Sequence, residues 1–203
     1  MLKNTKRFVQ GDTIIEVIFA VTIFSALAVS ALSVMNRAIG TAQRSLEISL
    51  VRQEMNNQAE ILRFIHNASM SGSATPPSAT WNSVIANQNI ITDAQLATLG
   101  SLTSNCQPPA STRAFVVNPR TLELVTNSTQ NMFTSAQTYS QLRYNTSDAI
   151  TTNGVQGIWV QQLRGVSGGV DYRDFHIRAC WAAPGSNVPV TLSTIVRLYV
   201  PNN

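Results

Sequence analysis

The sequence predicts an α+β fold, with a long N-terminal α-helix, membrane-spanning in its first half, packed on a C-terminal antiparallel β-sheet. Three observations predict it. Residues 17–36 form a run of 20 uncharged residues, VIFAVTIFSALAVSALSVMN. Apolar residues then recur at three- and four-residue spacing to Ile65, with no proline before Pro76. Beyond residue 112, runs of apolar or alternating residues are separated by turn residues, the pattern of strands. With 203 residues, 44% hydrophobic and 12% charged, the chain can bury a core and is too poorly charged for a disordered one.

The apolar run comes first. At 1.5 Å per helical residue, 20 residues cover about 30 Å, the hydrocarbon thickness of a bilayer. Thr22, Ser25, Ser30 and Ser33 within it can return their hydroxyls to helix carbonyls. Before the run stand Lys3, Lys6 and Arg7, a cluster that places the N-terminus in the cytoplasm. The formal charge of +4 derives largely from that cluster: residues after 11 carry 11 basic against 10 acidic side chains. A secretory signal would need a cleavage site after a shorter core; Ala26, Ala28 and Ala31 are candidates, yet the apolar run continues to Met35. A plain signal anchor accounts for the span but not for Glu16 at its start.

The segment Gly11-Asp12-Thr13-Ile14-Ile15-Glu16, followed by EVIFAVTIFSALAVSAL, resembles the type IV pilin and type II secretion pseudopilin superfamily. The likeness covers about 25 residues and is closest to V-type minor pilins and I-type pseudopilins. It implies a prepilin leader, residues 1–11, that a membrane prepilin peptidase and methylase removes after Gly11. Glu16 then becomes the fifth residue of the mature chain, and Asp12 stands where the family usually has Phe or Met. Thr13, Ile14, Ile15 and Glu16 match the assembly core. The resemblance implies that Glu16 pairs with the new α-amine of a neighbouring subunit, the carboxylate of Asp12 lying beside its own amine. A carboxylate at the lip of an apolar span is costly unless paired; the alternative is that Glu16 snorkels to the headgroups.

A transmembrane or filament-core helix over 12–36 is expected to continue as an amphipathic stalk over 37–66. Ile39, Ala42, Leu46, Leu50, Ile61, Leu62 and Ile65 form its apolar face, and Gly72 is a candidate stop. A helix over residues 13–66 would be about 80 Å long. A two-helix coiled coil is disfavoured by Gln53, Asn57 and Gln58, which break the heptads.

Residues 67–203 form the expected extracytoplasmic head. Residues 67–112 read as a long Ser/Thr/Asn/Pro-rich connection containing one short helix, Thr92 to Gly100, capped by Thr92 or Asp93. Ala114–Val117 and Leu122–Thr126 flank the turn Asn118-Pro119-Arg120-Thr121 and predict a hairpin. Ile158–Leu163, bounded by Gly157 and Gly165, Asp174–Ala182 and Val190–Val200 complete about five antiparallel strands. On the second of these, Phe175, Ile177, Ala179 and Trp181 share one face and His176, Arg178 and Cys180 the other. One sheet face should be covered by the helix and the other partly wet. Asn127–Asn153 reads as a second surface excursion. Cys106 and Cys180, an even count in an extracytoplasmic head, suggest one disulfide; two buried thiols are the alternative.

No catalytic constellation emerges, so no enzymatic activity, metal or other cofactor is expected. His66 and His176 read as structural, and Asp171 and Asp174 as turn salt bridges with Arg173. Gly165, Gly168 and Gly169 precede a strand, not the helix a phosphate loop requires. Nucleic acid is not an expected partner: the seven arginines after residue 66 are dispersed and no lysine follows Lys6. The resemblance implies a minor structural subunit of a type IV pilus. Its partners would be other pilin subunits, the peptidase, an inner-membrane assembly platform and, before assembly, membrane lipid. The precursor would cross the inner membrane once, N-terminus inside, and then enter an extracellular pilus or an envelope-spanning pseudopilus. Two alternatives stay open. One is a type II secretion pseudopilin, although Tyr199–Asn203 carries no acid for the calcium site of some members. The other is a signal-anchored surface adhesin that never polymerises.

Overall fold

A computed structural model describes residues 14–72, 74–96, 99, 106–108, 113–127, 131–186 and 188–200. The chain divides into two compact units, residues 1–43 and 44–203. In the first, the described residues are all helical. They belong to α1, Ile14–Met70, whose later part lies in the second unit. The order continues α2 (Pro76–Ile85), a 3₁₀ turn (Asn87–Asn89), α3 (Asp93–Leu96), β1 (Phe115–Val117), β2 (Leu124–Thr126), β3 (Phe133–Thr134), β4 (Gln141–Tyr144), β5 (Ile150–Gln156), β6 (Ile158–Ser167), β7 (Val170–Trp181) and β8 (Val190–Val200). The α+β class read from the sequence is the class of the structure.

The helix runs four residues past 66. Ser69 and Ser71 Oγ donate to the His66 and Ala68 carbonyls, satisfying acceptors that a helix end would leave bare. Gly72, at φ +72°, then ends it in the left-handed conformation glycine adopts freely.

The five expected strands form one antiparallel sheet in the order β2-β1-β6-β7-β8. Val51, Met55, Ala59, Leu62 and Ile65 of α1 pack in one core with Phe115, Val117, Ile158, Val160, Phe175, Ile177 and Trp181. The inward face of β7 is the expected set Phe175, Ile177, Ala179 and Trp181. Buried side chains also anchor the helix by hydrogen bonds. Trp181 Nε1 donates to Glu47 Oε2 at 2.9 Å. Gln58, fully buried, donates to the Val117 carbonyl at 2.8 Å and accepts from the Val117 amide at 3.0 Å.

Four expectations are corrected. The connection 67–112 contains α2, because Pro76 and Pro77 fall in the first turn, where the missing N–H costs nothing, and Ser78 Oγ accepts from the Thr75 amide. Trp81 and Val84 give α2 a buried face. The short helix expected over Thr92–Gly100 is formed over Asp93–Leu96, with Gln95 Oε1 accepting from the Thr92 amide. Thr98 and Gly100 lie outside the described residues.

The second excursion is a small sheet. β3, β5 and β4 lie side by side in that order, β3 parallel and β4 antiparallel to β5, anchored by Leu142, Ile150 and Val155. The described residues therefore hold eight strands in two sheets, not five in one. At Gly157 the chain leaves the small sheet for β6. Its φ is +61°, and a Cβ there would collide with the Cys180 carbonyl.

Finally, β6 does not stop before Gly165. The ring of Tyr172, its register partner on β7, occupies the space a side chain at 165 would fill. The reversal lies instead at Gly168 and Gly169, both at positive φ.

Candidate assembly surface

Ile14, Ile15 and Glu16 form the first described turn of α1. Gly11, Asp12 and Thr13, the expected cleavage position and the expected start of an assembly core, lie outside the described residues. The carboxylate of Glu16 sits at the positive end of the helix dipole, which favours an anion. It is exposed, and among the described residues no cation pairs with it.

From Ile14 to Met35 every apolar side chain is exposed, including Ile18, Phe19, Phe24, Leu27, Val29 and Leu32. This is the one helix among the described residues long and apolar enough to cross a membrane, with a mean hydropathy of 2.4 in its best window. Its polar positions are largely neutralised internally. Thr22 Oγ1 donates to the Ile18 and Phe19 carbonyls at 3.0 and 2.9 Å. Ser25 and Ser30 donate to Val21 and Ala26, each at 2.7 Å. Only Ser33 makes no such bond. The surface is thus apolar all round, with side-chain dipoles turned back onto the backbone, and it needs an apolar environment on every side.

The expected apolar face of the second half is corrected at its start. Ile39 and Leu46 are exposed, Leu46 by 61%, whereas the buried positions begin at Val51. Within the second unit the Trp181 hydrogen bond to Glu47 and the buried positions from Val51 onward mark where the helix packs on the sheet. Periodicity alone could not separate a face that packs within the chain from one that packs outside it.

Cys106 and Cys180 are joined, with Cα atoms 5.2 Å apart and a sequence separation of 74. The bridge packs with Ala114 and Trp159 on the sheet face opposite α1. His66 is structural as expected: its Nε2 lies 2.9 Å from the Tyr199 carbonyl and its ring 4.9 Å from that of Trp81. Asp171 pairs with Arg164 and only distantly, at 4.0 Å, with Arg173. Asp174 is held bidentately by Arg197, which also stacks on Tyr172 at 4.0 Å. The expected partner Arg173 is nearly buried, and burial, followed by the neighbouring Arg164, lowers its pKa.

Sequence reasoning missed Gln58, read as a heptad breaker, and Glu54. The Glu54 Oε2 is sealed from water without a partner, and burial raises its pKa against the opposing field of Arg120. Neither could be found from periodicity, since both occupy the polar share of an amphipathic pattern.

No family model, characterised protein or solved structure matches this chain.

Proposed function

We propose that this chain is a pilin-like structural subunit, held in the inner membrane by the start of α1 and assembled into a type IV pilus, as a minor component, through the same helix. One observation carries the reading: an all-round exposed apolar helix surface from Ile14 to Met35 with a single unpaired carboxylate, Glu16, in its first turn. Lipid satisfies that surface before assembly, and the helices of neighbouring subunits satisfy it afterwards. The carboxylate then pairs with an α-amine that cleavage after Gly11 creates on a neighbour, which sets the axial register of an otherwise unspecific apolar contact. The cystine and the hydrogen-bonded docking of residues 47–65 suit a rigid extracytoplasmic domain.

The reading is tested by co-expressing the chain with a prepilin peptidase and measuring intact mass. Loss of residues 1–11 supports it. An unprocessed N-terminus favours the signal-anchored surface protein that does not polymerise.

A further inference from the structure

β8 is the last strand of the five-stranded sheet, and its outer side is open. All 11 of its residues, Val190 to Val200, pair with β7 without a break in register. Among the described residues no strand pairs with its other edge. Alternate residues therefore direct an N–H and a C=O away from the sheet. Towards the C-terminal end the Tyr199 carbonyl is already engaged, with His66 Nε2 at 2.9 Å. The devices that usually close an edge are missing from the rest: β8 is long, without proline, lysine or bulge. Its one charge, Arg197, is turned onto Asp174 and Tyr172 of β7. Pro189 and Pro201 stand just outside it.

Beside this edge lies a groove of about 260 Å³, lined by Arg52, Met55 and Asn56 of α1 and by Leu192, Ser193 and Thr194 of β8. Val190 and Val196 belong to the core, so Leu192 and Thr194 share their face of the strand. Both are nevertheless only half-buried, because no further strand covers them. Met55 and Leu192 make part of the lining apolar. Arg52 is exposed, and among the described residues no acid pairs with it.

We propose that β8 accepts an extended segment of a partner protein as an added strand, with an apolar side chain in the groove and a carboxylate at Arg52. The segment's backbone completes the hydrogen bonds that the edge leaves open. Its alternate side chains fall on the α1 side. One of them, apolar, lies against Met55 and Leu192, and an Asp or Glu two positions along pairs with Arg52. The β8 of a second copy would meet the backbone requirement but not the charge, since it contains no acid. The site lies wholly in the second unit and stands independently of assembly through Glu16.

The test titrates the full chain, in non-ionic detergent, into a fluorescent peptide that alternates threonine with leucine and holds one glutamate between two leucines of its apolar face. Anisotropy should saturate, and replacing the glutamate by lysine should weaken binding about fivefold. With Arg52→Glu the preference should reverse, the lysine peptide binding more tightly. Arg52 is exposed, so this change should leave the unfolding midpoint in place. N-methylation of one alternate set of peptide amides should abolish binding, and of the other set should spare it, since only one edge of the peptide faces β8. The proposal is overturned if neither peptide saturates, if the two N-methylated sets behave alike, or if Arg52→Glu leaves the preference unchanged. Dimerisation of the free chain that no peptide reverses would assign the edge to a second copy and equally overturn it.

Discussion

Gln58 and Val117 form a closed pair: the amide of one buried side chain takes both the N–H and the C=O of one strand residue, at 3.0 and 2.8 Å. The ladder between β1 and β6 is a single pair, Phe115 facing Val160, so β1 lacks a strand partner at Val117 on that side. A side chain 59 residues earlier in sequence supplies what the missing partner would have supplied. Gln58→Ala strands both backbone groups in the core. It should cost about 2–4 kcal/mol, counting roughly 1–2 for each group left unpaired. Urea unfolding with a lower midpoint and unchanged slope would check this.

Leu62 and Leu46 lie on the same helix and should behave in opposite ways. Leu62 is fully buried under the sheet, so Leu62→Ala should lose about 2–5 kcal/mol of stability. Leu46 is exposed, so Leu46→Ser should leave the unfolding midpoint within about 0.5 kcal/mol of the original. If Leu46 packs against neighbouring subunits, the same change should reduce the amount of the chain recovered in sheared filaments. Thermal unfolding and quantitative blotting of the filament fraction separate the two effects.

Glu54 gives a pH dependence of known sign. Its folded pKa is raised by burial, so the folded state binds a proton more tightly than the unfolded chain does. Stability therefore falls as pH rises from the ordinary carboxylate range through the raised value, and the loss is complete above it. Glu54→Gln should stabilise the protein at neutral pH and have little effect below the ordinary carboxylate range. Unfolding midpoints across that range, compared between the two proteins, check it.

The Cys106–Cys180 bridge closes a separation of 74 residues and should contribute about 4 kcal/mol by restricting the unfolded chain. Replacing both cysteines by serine should lower the denaturant midpoint accordingly. Adding reductant should then change the unmodified protein and leave the double variant as it was.

The five-stranded sheet was legible because its strands are long or alternate cleanly: Phe175, Ile177, Ala179 and Trp181 mark one face of β7 without help from other elements. The small sheet was not. Its strands run from two to seven residues, and polar side chains such as Thr151, Thr152 and Asn153 make β5 read as a loop. α2 was hidden by Pro76 and Pro77, which break a helix interior but begin one well. Gly165 looked like a strand end because the ring that covers it comes from Tyr172, across a turn that sequence alone does not place. At the candidate assembly surface Glu16 stood out, since a charge beside an uncharged run is conspicuous. Gln58 did not, because its role arises only when the helix is docked on a strand 59 residues later in the sequence.

In the proposed subunit Glu16 drives assembly and not merely membrane insertion. Its most direct test is Glu16→Ala expressed with the full pilus machinery, comparing the amount in the membrane with the amount in sheared filaments. The expected chain is cleaved after Gly11, accumulates in the membrane and is nearly absent from the filaments. Normal recovery of the Glu16→Ala chain in sheared filaments would contradict it.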